Sequence, residues 1–497
     1  MSGDRKENLA RRTFLGGMTA AAGTVQFAPR LLSAAPLVVA AEEAKAASAT
    51  ETGQTKRLAE YAVALRYEDI PAPVLQRAKD CIADTVGVIL FGAQFPWSQM
   101  IVAYARRNGA PGKSVIFGTD AKVQAASAAL AHGALTHAFE QDNLTDPDSG
   151  AHPGASLFCP GLAVAQERGS TGRDLLTAFV AGAEVVIRVG LATKRTNEAR
   201  GFHAPGTVGP FGATIVAGRL LRLDAAKMTN ALGLAGSLSG GLLEFASVGN
   251  GAMVKRLHMG RAAEAGVLAA NLASEGFTGP TTVLEGKSGF LRAFCNAPDF
   301  TELTKGLGQN FASRTILLKR FACHITAHTP VSALLELRDK YKFAAADVVA
   351  INIAGSKRMA TANNLPAPPD ILIGQFSIPF CVALTLYRNP VDPYVFTDAA
   401  VHDPEIRAAM ARVTMTVVNG QSDDDVSSAL TVKLKDGRTL VQRATDFRGA
   451  PSNPLDRNEL REKFLLLTQK HLKPDMERLF DRLQNLDSEK NFDWLSV

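Results

Sequence analysis

The sequence predicts a mainly α-helical protein with a smaller α+β domain, and three observations lead to this fold class. Long Ala- and Gly-rich segments between residues 56 and 295 place apolar residues at three- and four-residue spacing, which indicates closely packed helices. Later segments rich in Val, Ile and Thr indicate strands. With 497 residues, 46% of them hydrophobic, the chain is long enough to form two domains.

The N-terminal region has the features of an export signal. Arg11 and Arg12 precede two apolar residues and a weakly apolar, Ala-rich stretch that ends in small residues. This pattern predicts a twin-arginine-type signal over residues 1–41 and therefore a periplasmic protein, although an irregular N-terminus remains an alternative. Residues 42–55 are polar and predict a linker. No run of about 18 apolar residues follows, so we expect no integral membrane segment in the mature chain.

Residues 56–295 are predicted to form the all-helical domain. The segment PAPVLQRAKDCIADTVGVILFGA opens with a proline, which suits the first position of a helix. The segments TGRDLLTAFVAGAEVVIRVGLAT and GPFGATIVAGRLLRL repeat the same helical spacing.

Residues 296–445 are predicted to form the α+β domain. Strands are expected at 346–355 and 412–419, followed by a hairpin that turns at Asp436-Gly437. Helices should begin at Thr329-Pro330 and at Asp403-Pro404. Residues 446–497 are predicted to be helical again and could rejoin the helical domain.

The charge and the cysteine content argue against a nucleic-acid-binding protein and against a disulfide-stabilised protein. The formal net charge is +6, but residues 1–41 hold five basic and two acidic side chains, so the rest gives little reason to expect nucleic acid as a partner. The cysteines are odd in number, widely spaced and without a CxxC pair, which indicates reduced core residues: Cys81, Cys159, Cys295, Cys323 and Cys381.

Most of the histidines fall in four polar segments. The acidic loop HAFEQDNLTDPDSGAHPGAS, which contains His152, could hold a metal ion or shape an acid/base site. His203 lies in a Gly- and Pro-rich turn before a helix, whose free N–H groups favour an anion. Lys255 and Arg256 open another helix beside His258. Each segment alone also fits an ordinary loop histidine or a solvated basic face.

The segment LLKRFACHITAHTP leaves four interpretations open. It could be a zinc site, a nucleophilic cysteine, an acid/base histidine beside an anion-binding lysine, or a solvated helix start. The zinc interpretation is weakened because HITAH lacks the glutamate of HExxH and no CxxC accompanies it. The third interpretation assigns Lys319 to a substrate carboxylate and His324 to proton transfer, with Cys323 in packing and His328 as support.

Five motifs occur in the order found in the MmgE/PrpD family, and the chain resembles that family over nearly everything after residue 55. They are HGALTHAFEQDN…SGAHPG, GFHAPGTVGPFGA, AMVKRLHMGRAAEAG, LLKRFACHITAHTPVSALLEL and GQFSIPFCVAL. The resemblance implies a homodimer with a cleft between a helical and an α+β domain, working without a metal or organic cofactor. The matching active-site positions are His152, His203, Lys255, Lys319 and His324.

Three positions depart from the family pattern. Glu140 stands where an aspartate opens the common acidic motif, Phe380 stands where many members have tyrosine, and Leu144 replaces a threonine of the decarboxylase members. These departures concern the substrate more than the class of reaction.

Resemblance and charge together predict a cofactor-independent, dehydratase-like lyase acting on a small di- or tricarboxylate such as 2-methylcitrate or a related hydroxy acid. Cations can desolvate such a substrate and histidines can move its protons. Predicted catalytic residues are His152, His203, His324, Glu140 and Asp142; predicted substrate-binding residues are Lys255, Arg256, Lys319, Arg320 and Phe380. The alternatives are an epimerase or isomerase, a decarboxylase, or an exported polycarboxylate-binding protein without turnover.

Overall fold

A computed structural model describes residues 53–246 and 252–496, so the predicted signal and most of the linker lie outside the described residues. The helices of the first part are α1 Gln54–Ala64, α2 Ala72–Gly92, α3 Pro96–Asn108, α4 Ala125–Thr136, α5 Cys159–Arg168, α6 Gly172–Ala192, α7 Ala204–Leu220, α8 Ala225–Ser237, α9 Val254–Ser274 and α10 Phe290–Phe294. Two small antiparallel pairs accompany them, β1 Pro111–Val115 with β2 Lys122–Val123, and β3 Leu144–Thr145 with β4 Ile316–Leu317.

The second part contains α11 His328–Tyr341, α12 Lys357–Thr361, α13 Ile371–Gly374, α14 Ile378–Tyr387, α15 Asp398–His402 and α16 Pro404–Met410. Its strands are β5 Val348–Gly355, β6 Val413–Val417, β7 Ser428–Leu434 and β8 Thr439–Ala444, in the sheet order β6-β5-β7-β8. The last helices are α17 Arg457–Leu467 and α18 Lys473–Gln484.

Glycines allow the long helices of the first part to pack closely. A Cβ atom on Gly133 of α4 would lie 2.7 Å from the carbonyl oxygen of Met259 in α9, and one on Gly260 would lie 2.5 Å from the carbonyl oxygen of Leu130. Helices α4 and α9 therefore touch backbone to backbone and run antiparallel. The close packing predicted from the Ala- and Gly-rich segments is present at this crossing.

The four-stranded sheet carries the second hydrophobic core. Strand β5 pairs in parallel with β6, with Ile351 opposite Val413, and antiparallel with β7. Strand β7 alternates buried and partly exposed residues, as expected when one face of a sheet packs on helices. The predicted strands, the hairpin and the fold class are confirmed.

The C-terminal helices pack on the helical part of the chain. Phe464 of α17 and Phe480 of α18 are fully buried in the same core as α2. Lys463 of α17 lies with its Nζ 2.5 Å from Oδ1 of Asp84, which is a buried residue of α2. The end of the chain thus completes the first core.

Helix α6 runs through the middle of that core. Its length and composition alone would allow it to cross a membrane, but 94% of its most apolar window is buried inside the protein. The helix begins with a capping box in which Thr171 and Asp174 exchange hydrogen bonds.

Candidate active site

A cavity of about 280 Å³ collects most of the predicted site residues. Its walls come from the loop after α4, the starts of α7 and α9, and the part of the chain around α12. The titratable side chains that line it are His137, His152, His203, His324, Lys255, Lys319, Arg195, Arg358, Glu140, Asp148 and Glu198.

Helix packing brings these segments to one place. Because α4 and α9 run antiparallel, the end of α4 at His137 lies beside the start of α9 at Lys255. Helix α7 packs along α9 in the same direction, with Gly209 against Ala262, so His203 before α7 joins them. The cavity therefore forms where one helix ends and two others begin.

Glu140 bridges two buried lysines. Its Oε2 atom lies 2.8 Å from Nζ of Lys319, and its Oε1 atom contacts Nζ of Lys255. All three side chains are nearly inaccessible to solvent, and Glu140 adopts a positive φ of 54°. Each ammonium group has three N–H donors, so both lysines keep donors for a substrate carboxylate.

Asp142 holds two histidines. Its Oδ2 atom lies 2.7 Å from Nδ1 of His137 and 2.7 Å from Nδ1 of His152. Burial acts to raise the pKa of the Asp142 carboxyl, but His152 and His137 outweigh it and hold the pKa well below its usual value. The contact with His137 is a hydrogen bond, so the carboxylate fixes the proton of that ring on Nδ1 and leaves its Nε2 available. The contact with His152 is at an ion-pair distance, and Nδ1 of His152 has no hydrogen-bond partner among the described residues.

The same three side chains could hold a cation, because their ligand atoms all lie within 4.8 Å of one another. The 2.7 Å separations between ring nitrogens and carboxylate oxygen are, however, hydrogen-bond distances. A bound ion would have to replace the hydrogen bond between Asp142 and His137, whereas Nδ1 of His152 has no hydrogen-bond partner among the described residues. The geometry at His137 fits an orienting carboxylate.

Two further histidines are kept neutral. Burial lowers the pKa of His203 well below its usual value, with added repulsion from His137 and His258, and the Nδ1 atoms of His203 and His258 lie 2.9 Å apart. Burial also lowers the pKa of His324 well below its usual value, and the positive charge of Arg358 is the next cause. At neutral pH both rings are therefore uncharged.

His324 lies between a hydroxyl and a guanidinium. Its Nδ1 atom is 2.9 Å from Oγ1 of Thr326, and its Nε2 atom is 3.5 Å from NH2 of Arg358. The ring of Phe376 stacks on it at 5.3 Å, and Lys255 lies 4.6 Å above the same phenyl ring. The backbone N–H of Thr326 points to Nδ1 at 3.5 Å, and the guanidinium of Arg358 points to Nε2, so a group that can only donate faces each ring nitrogen.

A second ion cluster lines the cavity near Arg358. Arg195 contacts the carboxylates of Asp148 and Glu198 and lies 3.3 Å from Oδ1 of Asp424. All three carboxylates are thus held by one guanidinium.

Seven of the ten predicted site residues lie at the cavity or, as Asp142 does, directly behind its lining; three do not. Arg256 lies beside it, with its guanidinium 5.6 Å from the ring of Trp97 and its Nε donating to the carbonyl of Ala138. Arg320 is partly exposed and lies over Phe321, because neighbouring side chains of an extended segment point to opposite sides and Lys319 points inward.

Phe380 is also outside the cavity, so the structure gives no support to its assignment as a substrate-binding residue. It is fully buried in the second core on α14, and Phe376, in the turn before that helix, lines the cavity instead. Cys323 is buried in the same core, as expected. His328 packs between Phe321 and Phe447 and does not line the cavity.

Several cavity residues were not assigned from the sequence. His137 and Asp148 belong to the acidic loop already singled out, so their motif was a usable signal. Arg195 follows α6 and Arg358 lies in the short helix α12, and neither stands in a pattern that indicates chemistry. Only the folded chain brings these two arginines to the histidines.

Comparison with known proteins identifies the family of the chain. The MmgE/PrpD N-terminal domain matches residues 56–303 and the MmgE/PrpD C-terminal domain matches residues 321–487. The chain is similar to a cis-aconitate decarboxylase of Aspergillus terreus, with 31% identity over 84% of this chain and 90% of that protein. It is also similar to the cis-aconitate decarboxylases of Homo sapiens, 27% identical over 83% and 88%, and of Mus musculus, 26% identical over 85% and 88%. The chain therefore belongs to the MmgE/PrpD family and is a lyase of that family, as its sequence predicts.

Proposed function

We propose that this lyase removes CO₂ from a small unsaturated tricarboxylate of the cis-aconitate type. The observation that carries the proposal is the single cavity in which two lysines and two arginines meet four histidines. The reaction named for the relatives from three organisms supports the same chemistry. Export to the periplasm and the homodimer stay predictions.

The cavity offers a bound trianion cationic side chains for its carboxylates and histidines for proton transfer. Its lining holds four cationic and three anionic side chains, and the carboxylate of Asp142 lies directly behind it, so the side chains offset little of a trianion's charge. A bound trianion therefore favours the uptake of protons by the lining histidines. Decarboxylation needs one such proton.

The electron and proton balance of the reaction is simple. The bond between the methylene carbon and its carboxylate breaks, and its electron pair forms a new double bond to the central carbon. The old double bond supplies its π electrons to the vinylic carbon, which takes up one proton. The trianion and one proton thus become CO₂ and an unsaturated dicarboxylate dianion.

We assign the proton to His152. The Asp142 carboxylate lies 2.7 Å from its Nδ1 atom and stabilises the positive charge of the doubly protonated ring, leaving the Nε2 proton to be donated. Lys255 and Lys319 keep N–H donors for the carboxylates that stay on the product. Burial of the cavity strengthens these contacts and disfavours the charge of the carboxylate that leaves.

Dehydration of a hydroxylated tricarboxylate such as 2-methylcitrate is the second candidate. It is suggested by His324, which lines the cavity and which burial and its cationic neighbours keep in the neutral form that a base requires. A hydro-lyase needs such a base to take a proton beside a carboxylate, whereas the decarboxylation above needs only an acid.

The two candidates can be separated with one panel of substrates and two variants. Purified protein is incubated with cis-aconitate, citrate and 2-methylcitrate after exhaustive chelation, and CO₂ and organic products are identified by mass spectrometry. We expect CO₂ and a dicarboxylate from cis-aconitate, with kcat reduced about 10²- to 10⁴-fold in His152→Gln and much less in His324→Gln.

Dehydration of 2-methylcitrate without CO₂ release, with the larger kcat loss in His324→Gln, would establish the second candidate instead. Turnover lost on chelation and restored by a metal ion would contradict both assignments of acid and base.

A further inference from the structure

We propose that Arg358 binds one carboxylate of the substrate directly beside His324. This inference rests on the proposed function and identifies a residue that determines which carboxylates the enzyme accepts. Arg358 lies on α12, a short helix capped by Ser356 that follows strand β5. Strand β5 is an inner strand of the sheet, and the helix that follows it places the guanidinium of Arg358 in a cavity lined mainly by the helical domain.

The other cations of the cavity already have carboxylate partners. Lys255 and Lys319 share Glu140. Arg195 contacts Asp148 and Glu198 and approaches Asp424. A substrate carboxylate has to share each of these cations with an anion of the protein.

Arg358 differs from them. Among the residues that the structure describes, its guanidinium forms no ion pair within 4 Å, although the charges of Asp148, Glu198 and Asp424 act on it from farther away. Its side-chain hydrogen-bond partner is Nε2 of His324 at 3.5 Å. This contact is long and uses one of five N–H donors. The side chain lines the cavity and is only partly exposed, so a carboxylate that reached it would be largely desolvated.

Substrate binding at Arg358 has a consequence for His324. A guanidinium matches a carboxylate with two parallel hydrogen bonds, which are stronger than its contact with a neutral ring nitrogen. The carboxylate therefore draws Arg358 away from Nε2 and neutralises the charge that is the second cause of the low pKa of His324. Nε2 is then released for contact with the substrate, and one of the charges that lower the pKa of the ring is offset, while burial, the largest cause, remains.

Binding of inert ligands tests the inference independently of turnover. Isothermal titration calorimetry measures Kd for tricarballylate, which lacks the double bond, and for glutarate and methylsuccinate, which each lack one of its carboxylates. Arg358→Gln should weaken tricarballylate about 10- to 150-fold, the effect of losing a charge-assisted hydrogen bond. One of the two dicarboxylates, the one without the carboxylate that Arg358 binds, should lose no affinity.

Two further variants serve as controls. Arg358→Lys keeps the charge but not the two-pronged geometry, so it should fall between the parent and Arg358→Gln. Lys357→Gln removes the same charge from the exposed neighbouring position of the same helix and should leave all three Kd values unchanged.

The outcomes separate the inference from the proposed function. Equal affinity of the parent and Arg358→Gln for tricarballylate overturns the inference alone. Equal losses for all three ligands also overturn it, because they show an effect on the fold and not on one carboxylate. A parent protein that binds none of the three ligands overturns the proposed function together with the inference.

Discussion

Asp142 is the residue on which the orientation of two cavity histidines depends. It is buried, it accepts a hydrogen bond from His137, and it lies 2.7 Å from Nδ1 of His152. Its second oxygen has no hydrogen-bond partner among the described residues. Because the rings would otherwise be free to change tautomer, the carboxylate defines which nitrogen faces the substrate.

We expect Asp142→Asn to lower kcat about 10²- to 10⁴-fold, because the amide no longer stabilises a protonated His152 and can present an N–H to its Nδ1 atom. KM should change little, since the lysines remain in place. Steady-state kinetics on cis-aconitate measures both constants, with the exposed Asp120→Asn as control. A raised KM at the parent kcat would show that Asp142 binds substrate instead.

The sequence predicts which residues line the cavity where those residues belong to a recognisable motif. His152, His203, Lys255, Lys319 and His324 all line the cavity. Phe376 and Phe380 belong to one motif, and the sequence cannot tell which faces the cavity because that depends on the rotation of the chain before α14. Arg195 follows helix α6 of the helical domain and Arg358 follows strand β5 of the α+β domain. They reach the same cavity through the packing of the two domains, which no local sequence pattern predicts.

The crossing of α4 and α9 determines the distance between the two sides of the cavity. Gly133 and Gly260 let the helices approach until a Cβ atom would meet a carbonyl oxygen at 2.5 to 2.7 Å. Helical spacing in the sequence predicts these helices, and their glycines predict close packing. The partner and direction of each helix follow from the three-dimensional fit of the side chains, which periodicity does not contain.

Gly260→Ala should destabilise the protein by about 1 to 3 kcal/mol, because the methyl group forces the two helices apart. At an unobstructed helix position the same change would stabilise by up to about 1 kcal/mol, so even the sign is informative. Chemical denaturation measures the change in the free energy of unfolding. Activity per folded molecule should also fall, as His137 and Lys255 move apart.

Gly218→Ala in α7 is the matched control. Its added Cβ would meet the end of the flexible Met228 side chain, which can move away. A stability loss as large in Gly218→Ala as in Gly260→Ala would show that any added volume in this core, and not the helix crossing, is responsible.

The molecule as a whole buries several histidines in neutral form. Burial lowers the pKa of His132 to about 3, and burial also lowers that of His137 to about 3 and that of His258 to about 4. In the unfolded chain a histidine titrates near pH 6.5. Below that pH the unfolded state binds protons that the folded state does not, so the free energy of unfolding falls as the pH falls towards 4.

Each such histidine should lower the free energy of unfolding by about 1.4 kcal/mol per pH unit below 6.5, or by about 2 kcal/mol at pH 5. His132 lies outside the cavity and accepts a hydrogen bond from the backbone N–H of Phe117. When the pH falls from 7 to 5, the free energy of unfolding should therefore fall by about 2 kcal/mol less in His132→Gln than in the parent. Urea unfolding at the two pH values measures this difference. The exposed His471→Gln should keep the parent pH dependence, and an unchanged dependence in His132→Gln would contradict the assignment.

Export is also a property of the whole molecule, and it stays a proposal. If residues 1–41 are a twin-arginine-type signal, replacing Arg11 and Arg12 by lysine should leave the folded precursor in the cytoplasm. Cell fractionation measures the distribution, and unchanged export of the double variant would remove this interpretation.

The C-terminal helices that complete the first core also impose an order on biosynthesis. Phe464, Phe480 and Lys463 belong to the last tenth of the chain, yet they fill and tether a core whose other helices begin at residue 54. The helical domain therefore cannot close while the ribosome is still making the α+β domain. Its apolar surfaces stay exposed until α17 and α18 have been synthesised, so we expect the nascent chain to need protection from aggregation up to that point.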